Sequence, residues 1–377
     1  MNINKLIIYI MVFFMAVGAL DKIFGNKRGY GKEFDEGFMS MGPLAIALVG
    51  ILSLAPVLTS VLKPLIAPAY ALFGADPAMF ASTILAYDMG GYDLAMAMTS
   101  SPAIGTFSGL LHGSMMGVTI AFTIPFSLRM VDRADYPSLA KGILSGIVTI
   151  PIGCLVGGLI AGYDLGMLLR NLTPTLLVAL LISVGLARIP DRMIKGFTIL
   201  GHGVTIVTTI GAAAAIIEAL TGFVVIKGMN PASDAVKTVG VIAMMLAGAL
   251  PMVHFIKRTL GKHLERAGAL IGINPTAAMG LVLTLTNSVP MFMKVKEMDA
   301  RGKVVNMAFA VSASFMLAGN LGFVARANEN MIVPVVLGKL AGGLSAIFVA
   351  LYFANKASAT AHKSSLPQPF ETSRTAN

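Results

Sequence analysis

The sequence predicts an all-α integral membrane protein with about nine full transmembrane helices and two re-entrant or broken helical hairpins, arranged as two inverted repeats. Three observations predict this class. The 377 residues are 56% hydrophobic and only 12% charged, with a mean hydropathy of +0.81, whereas a soluble domain carries about 25% charged residues. Water could not be kept from that much apolar surface in a soluble fold. The apolar residues also fall in runs of bilayer length, and two of those runs are interrupted midway by polar residues in matching contexts.

A hydrocarbon core about 30 Å thick needs roughly 20 apolar residues in a helix. Nine segments meet that need, near 3–20, 38–62, 104–128, 138–161, 168–187, 196–222, 236–256, 303–323 and 331–354. The first, which begins near Lys5, has the look of a signal peptide. The long apolar segments after it make a first transmembrane helix the simpler reading. Two further stretches, 77–99 and 275–293, break at Asp88-Met89-Gly90-Gly91 and at Asn287-Ser288-Val289-Pro290. Each leading arm has about ten residues, or about 15 Å of helix. That is half a membrane, which suits a re-entrant hairpin.

Charge decides between hairpin and full crossing. With both stretches re-entrant and the N-terminus outside, 21 of the 28 Lys and Arg residues face the cytoplasm and seven, including Lys339, lie outside. With both stretches crossing fully, the division is even. Positive residues concentrate on the cytoplasmic side, so the hairpin topology is preferred, with a periplasmic N-terminus and a cytoplasmic C-terminus. The net charge of +10 is accounted for by these helix ends, and its dispersal between apolar stretches argues against nucleic acid as a partner.

The two interrupted stretches belong to an internal repeat. Pro56 precedes a helix ending in ALFGADP (Ala71–Pro77), and Pro251 precedes one ending in ALIGINP (Ala269–Pro275). Ser114-Met115-Met116 then matches Ser314-Phe315-Met316, and Lys141 matches Lys339. Residues 1–354 read as one polytopic membrane domain, with repeats at 1–162 and 194–354 and a linking helix in 163–193. Four crossings plus one linking span is odd, so the second copy is inverted. Residues 355–377, rich in Ser, Thr, Ala and Lys, read as a disordered cytoplasmic tail. Inverted repeats with broken helices meeting near the midplane are the architecture of secondary transporters.

The candidate binding residues lie at the breaks. Asp88 sits at the first tip beside Tyr87 and Gly90, at a depth where a carboxylate is costly and usually functional. An acid there suits a cationic solute or a coupling cation; the alternative is an Asp satisfied by hairpin-tip amides. Asn287 and Ser288 hold the second tip and offer neutral donors and acceptors, although Asn287 would also serve as a helix cap. Asn320, within 303–323, could line the same cavity. His112, His202 and Asp93 are proton, ion or cavity candidates that ordinary packing also explains. Gly153/Gly157 and Gly158/Gly162 are close-packing pairs, suited to packing within the chain or between copies in a homo-oligomer.

Catalytic readings find little support. HExxH, GxSxG and a phosphate loop are absent from the sequence. Tyr87-Asp88 and Tyr92-Asp93 lack the GxGD partner of an intramembrane aspartyl protease. One cysteine excludes a disulfide framework, and no metal or cofactor is expected.

Several strings resemble the EutH family, the ethanolamine permeases of bacterial ethanolamine-utilization operons. They are GFMSMG (Gly37–Gly42), YDMGG (Tyr87–Gly91), GIVTIPIGC (Gly146–Cys154), PMF (Pro290–Phe292), MDARGKVVN (Met298–Asn306), AFAVSASF (Ala308–Phe315) and LGF (Leu321–Phe323). The resemblance runs nearly end to end outside the tail. It departs at Gly319 and Asn320, where an acidic residue and a histidine can precede LGF in the family. It implies uptake of ethanolamine across a bacterial inner membrane for catabolism, by facilitated diffusion or ion-coupled alternating access. Asp88 with nearby carbonyls would then hold the ammonium, and Asn287-Ser288 the hydroxyl. The alternative is a transporter for a different small polar solute.

Overall fold

A computed structural model describes residues 3–99 and 101–364 of the chain. All regular structure among them is helical. The first half comprises α1 (Ile3–Ile23), α2 (Tyr30–Met39), α3 (Met41–Ala71), α4 (Ala78–Ile84), α5 (Gly91–Met98), α6 (Pro102–Thr106), α7 (Ile124–Met130), α8 (Tyr136–Ile147) and α9 (Ile150–Ile160). Between α6 and α7 the helix continues through π-helical segments, Phe107–Gly117 and Thr119–Thr123. Next in the chain is α10 (Leu165–Arg188). The second half comprises α11 (Pro190–Thr221), α12 (Ala232–Leu270), α13 (Pro275–Thr284), α14 (Val289–Met293), α15 (Ala300–Ala313), α16 (Gly319–Ala327) and α17 (Ile332–Ser364).

Eight helical stretches among the described residues are long and apolar enough to cross a bilayer, one fewer than the sequence suggests. The difference is the run at 303–323. It unwinds at residues 314–318, between α15 and α16, and Phe315 takes a left-handed backbone (φ 61°). Two of the freed N–H groups are taken up by the break that follows α13. Phe315 N donates to the Thr284 carbonyl at 3.1 Å and Leu317 N to the Leu285 carbonyl at 2.8 Å. Irregular backbone survives at membrane depth because protein satisfies it. Elsewhere the crossings match the apolar runs, although the second lies at Leu48–Ala71 rather than at 38–62. The 39 residues of α12 span roughly 58 Å and outreach the bilayer. The helix α17 continues through 355–364, into the stretch expected to be a tail; residues 365–377 of that tail lie outside the described residues.

Both interrupted stretches are broken helices. Leu85 and Ala86 are extended, Tyr87–Met89 forms a single 3-10 turn, and α5 restarts at Gly91. In the second half, residues 285–288 separate α13 from α14. The approaches to the two hairpins are built alike. Gly74 and Gly272 both adopt left-handed backbone (φ 64° and 71°). Two residues on, Asp76 accepts the Ala78 N–H and Asn274 the Ala277 N–H.

Packing follows the same plan. The helix α1 lies against α12 and α11 against α3; α3 meets α12, and α9 meets α17. The α9–α17 contact is nearly backbone to backbone, since a Cβ on Gly153 would sit 2.7 Å from the Gly338 carbonyl oxygen. Small residues permit such approach. The core comprises the π segment Phe107–Gly117, all of it buried, and α15 from Val304. Large side chains on α1, α10 and α11, such as Phe13, Leu181 and Ile206, point outward, as lipid-facing helices require.

Candidate functional site

The site is organised by the first break. Gly90 is left-handed (φ 85°), and a Cβ there would collide with Ile51. Glycine is therefore required to turn the chain from the 3-10 turn into α5. The turn presents two side chains to the protein interior. Tyr87 is fully buried, and its ring packs edge-on against Phe323 of α16 at 5.1 Å. Asp88 is half-buried. Its carboxylate interacts with the hydroxyl of the neighbouring Tyr87.

Asp88 lies within electrostatic reach of a buried cation. Lys339, on α17, is completely buried, and its ammonium donates to the Ser114 carbonyl at 2.5 Å. Asp88 and Lys339 interact electrostatically. No nitrogen–oxygen contact within 4.0 Å joins them among the described residues, so a gap separates the charges. The π segment holds the two together: Ser114 binds the lysine, and the neighbouring Gly113 packs beside the Tyr87 backbone.

The unwound segment completes the enclosure. Gly319 lies against the Tyr87 hydroxyl, close enough that a Cβ there would sit 3.3 Å from it. Asn320, next in the chain, is fully buried with neither amide atom hydrogen-bonded within the protein. Ser288, at the second break, is also fully buried with an unpaired hydroxyl. Buried polar groups are nearly always paired, so these orphans mark places that a ligand could satisfy. The contacts run from Tyr87 to Gly319 and Phe323, back through residues 315–317, to Thr284 and Leu285. Both breaks thus adjoin one unwound strand of chain.

The other candidates separate from this cluster. Asn287 is exposed, and its Oδ1 accepts the Val289 N–H, so the side chain caps the restart of the broken helix. His112 is buried with both ring nitrogens engaged, by Ser82 at 2.8 Å and Thr175 at 2.9 Å. Those bonds fasten the first hairpin to α10. His202 is exposed in a groove of about 460 Å³ that also meets Met89 and Phe122. Asp93 lines a separate cavity of about 360 Å³ with Asp234, Lys237, Thr238 and Arg326. There Arg326 donates to Thr238 at 2.6 Å, and one Asp93 oxygen is buried without a partner.

Lys339 is the residue that sequence reasoning missed. The charge pattern assigns it to the outside, but α17 begins at Ile332 and carries it two turns inside. Lys141, which the sequence comparison of the two halves sets opposite it, is exposed. The available signal was position: a lysine in the apolar run IVPVVLGKLAGGL has no nearby end from which to reach water.

Comparison with known proteins places this arrangement. A family model described as "Ethanolamine utilisation protein, EutH" matches residues 3–353. The "Probable ethanolamine permease EutH" of Listeria monocytogenes is 52% identical over 356 residues, covering 94% of this chain and 95% of that protein. The Escherichia coli K12 protein of the same description is 43% identical over 401 residues, covering 96% and 98%. Bacillus subtilis YxeR, described as uncharacterized, is 46% identical over 363 residues, covering 96% and 98%. No solved structure matches the chain. The match spans both broken hairpins, the unwound segment and the buried lysine, so the chain belongs to the EutH family.

Proposed function

We propose that the chain carries ethanolamine across a bacterial inner membrane, with the amino group received at Asp88. The observation that carries this reading is the half-buried Asp88 at a helix break, beside the buried Tyr87 and within electrostatic reach of the buried Lys339. Ethanolamine is a compact amino alcohol with an N–H-rich end and one hydroxyl. Asp88 supplies acceptors for the first, while Asn320 and Ser288 supply neutral donors and acceptors for the second. Asn287, engaged as a cap, positions the tip rather than contacting the substrate.

Two inverted repeats, 1–162 and 194–354, joined by α10, provide the moving parts. The paired approach turns at Gly74 and Gly272 support this reading, as does the reciprocal packing of α1 on α12 and α11 on α3. Broken helices meeting at a repeat interface suit alternating access by rocking of one unit against the other. The topology keeps the N-terminus outside. With Lys339 internal, six of the 28 basic residues remain outside, which strengthens the charge bias.

The test is uptake of labelled ethanolamine by proteoliposomes of the purified protein. Saturable uptake that excess unlabelled ethanolamine suppresses is expected, with at least a tenfold loss in Asp88→Ala that still purifies as a folded protein. Uptake equal to that of empty liposomes would sink the reading. Uptake of another solute that ethanolamine fails to displace would reassign the substrate.

A further inference from the structure

We propose that Lys339 is a specificity-determining residue: as the internal counter-cation of Asp88, it admits a primary amine between the two charges and turns away a permanent quaternary cation. The inference deepens the transport reading above and rests on it.

The geometry isolates the pair. Lys339 is wholly buried on the face of α17 that meets α9, beside Gly338 and Gly342. Burying an ammonium is costly unless it is paired. A lysine ammonium has three donors, and among the described residues the Ser114 carbonyl takes one. The carboxylate acting on its charge is Asp88. Other polar groups on the packed elements are occupied or remote. His112, on the π segment, is bonded to Ser82 and Thr175. Lys303, on α15, is paired with Asp135 at 2.6 Å. Lys141 of α8 and Arg326 of α16 are exposed. Asp88 is therefore the carboxylate that balances Lys339.

Balanced charges change what the site attracts. A site with Asp88 alone would draw any small cation. With Lys339 beside it, the pair is neutral, and a second cation must enter against like charge in a poorly screened interior. A primary amine has a way in: its ammonium can leave one proton with bulk water, and the free base then donates N–H to Asp88 and accepts a spare donor of Lys339 through its lone pair. A trimethylated ammonium has neither N–H nor lone pair. It meets the lysine's repulsion and gains no hydrogen bond in return.

Choline is the probe, because it is the trimethylated counterpart of ethanolamine. In proteoliposomes, choline should compete with labelled ethanolamine at least about tenfold more weakly than ethanolamine does. In Lys339→Met and Lys339→Gln the choline-to-ethanolamine ratio should rise by about tenfold or more, while Lys339→Arg, which keeps a permanent charge, should retain the exclusion. Thermal stabilisation of the purified proteins by choline supplies a readout independent of flux: the Met and Gln variants should respond and the wild type should not. Choline competing with wild type as well as ethanolamine does would overturn the proposal. So would an unchanged ratio in the neutral variants, or an Arg variant that admits choline as they do. Failure of the transport reading has a different signature, namely no ethanolamine uptake by the wild type.

Discussion

Asn320→Leu separates the two demands on a buried polar residue. Asn320 is fully enclosed with both amide atoms unpaired in the protein. A buried donor or acceptor without a partner costs about 1–3 kcal/mol, so the amide as a whole costs about 2–6 kcal/mol by the same scale. Leucine keeps the branched outline, adds volume and removes the polar atoms. Crowding takes back about 1–3 kcal/mol, leaving a net gain of about 2 kcal/mol at the middle of both ranges. The variant should melt later than wild type in detergent, by about 2 °C or more, and should carry ethanolamine at least tenfold more slowly. Such a combination is characteristic of residues kept for function at the expense of stability. The assay pairs a melting curve with initial uptake rates from one preparation. A variant that melts earlier and transports normally would refute the reasoning, because the amide would then be bonded in the fold and dispensable to the substrate.

Other perturbations address the scaffold and the histidine. A Cβ on Gly117 would lie 2.7 Å from the Ser82 carbonyl oxygen and 2.8 Å from the Leu85 carbonyl carbon. Both are backbone atoms that no rotamer change can move. Gly117→Ala should therefore cost about 1–3 kcal/mol by overpacking, whereas Gly201→Ala, where a Cβ meets nothing within 4 Å, should be neutral or slightly stabilising; equal melting temperatures would contradict the described packing of the first break. His112→Asn loses up to two buried hydrogen bonds, worth about 1 kcal/mol each, and should shift stability without moving the pH profile of uptake. A displaced profile would restore His112 as a proton carrier.

The crossings were legible because the bilayer asks for long apolar runs, which the chain supplies. The first break was legible from Asp88 and the Gly90-Gly91 pair, and the second from Asn287 and Pro290: polar, flexible or ring-constrained residues interrupting apolar ones. The unwinding at 314–318 was not. The string Ser314-Phe315-Met316-Leu317-Ala318 contains neither Gly nor Pro, and the left-handed Phe315 is held by carbonyls of a hairpin distant in sequence. Tertiary hydrogen bonds, not local propensity, set that backbone. The site was half legible for the same reason. Asp88 and Tyr87 share the first break, and Ser288 and Asn320 are buried with unpaired polar atoms, but Asn287 turns out to a capping role that spacing alone could not separate from binding. The partner of Asp88 lay about 250 residues further along the chain, and nothing at Lys339 itself names Ser114 or Asp88. The histidines differ by surroundings that composition cannot show: His112 is locked by hydroxyls, and His202 faces outward.

Transport through the first break requires that the position of Asp88 be reachable from each side of the membrane in turn. The single native cysteine, Cys154, is fully buried, so Asp88→Cys in a Cys154→Ser background places one reactive thiol at the site. Membrane-impermeant thiol reagents, applied to right-side-out and inside-out vesicles separately, should modify it from both faces, and ethanolamine should slow the reaction where binding survives the substitution. Modification from one face alone, or from neither, would contradict a substrate path through Asp88.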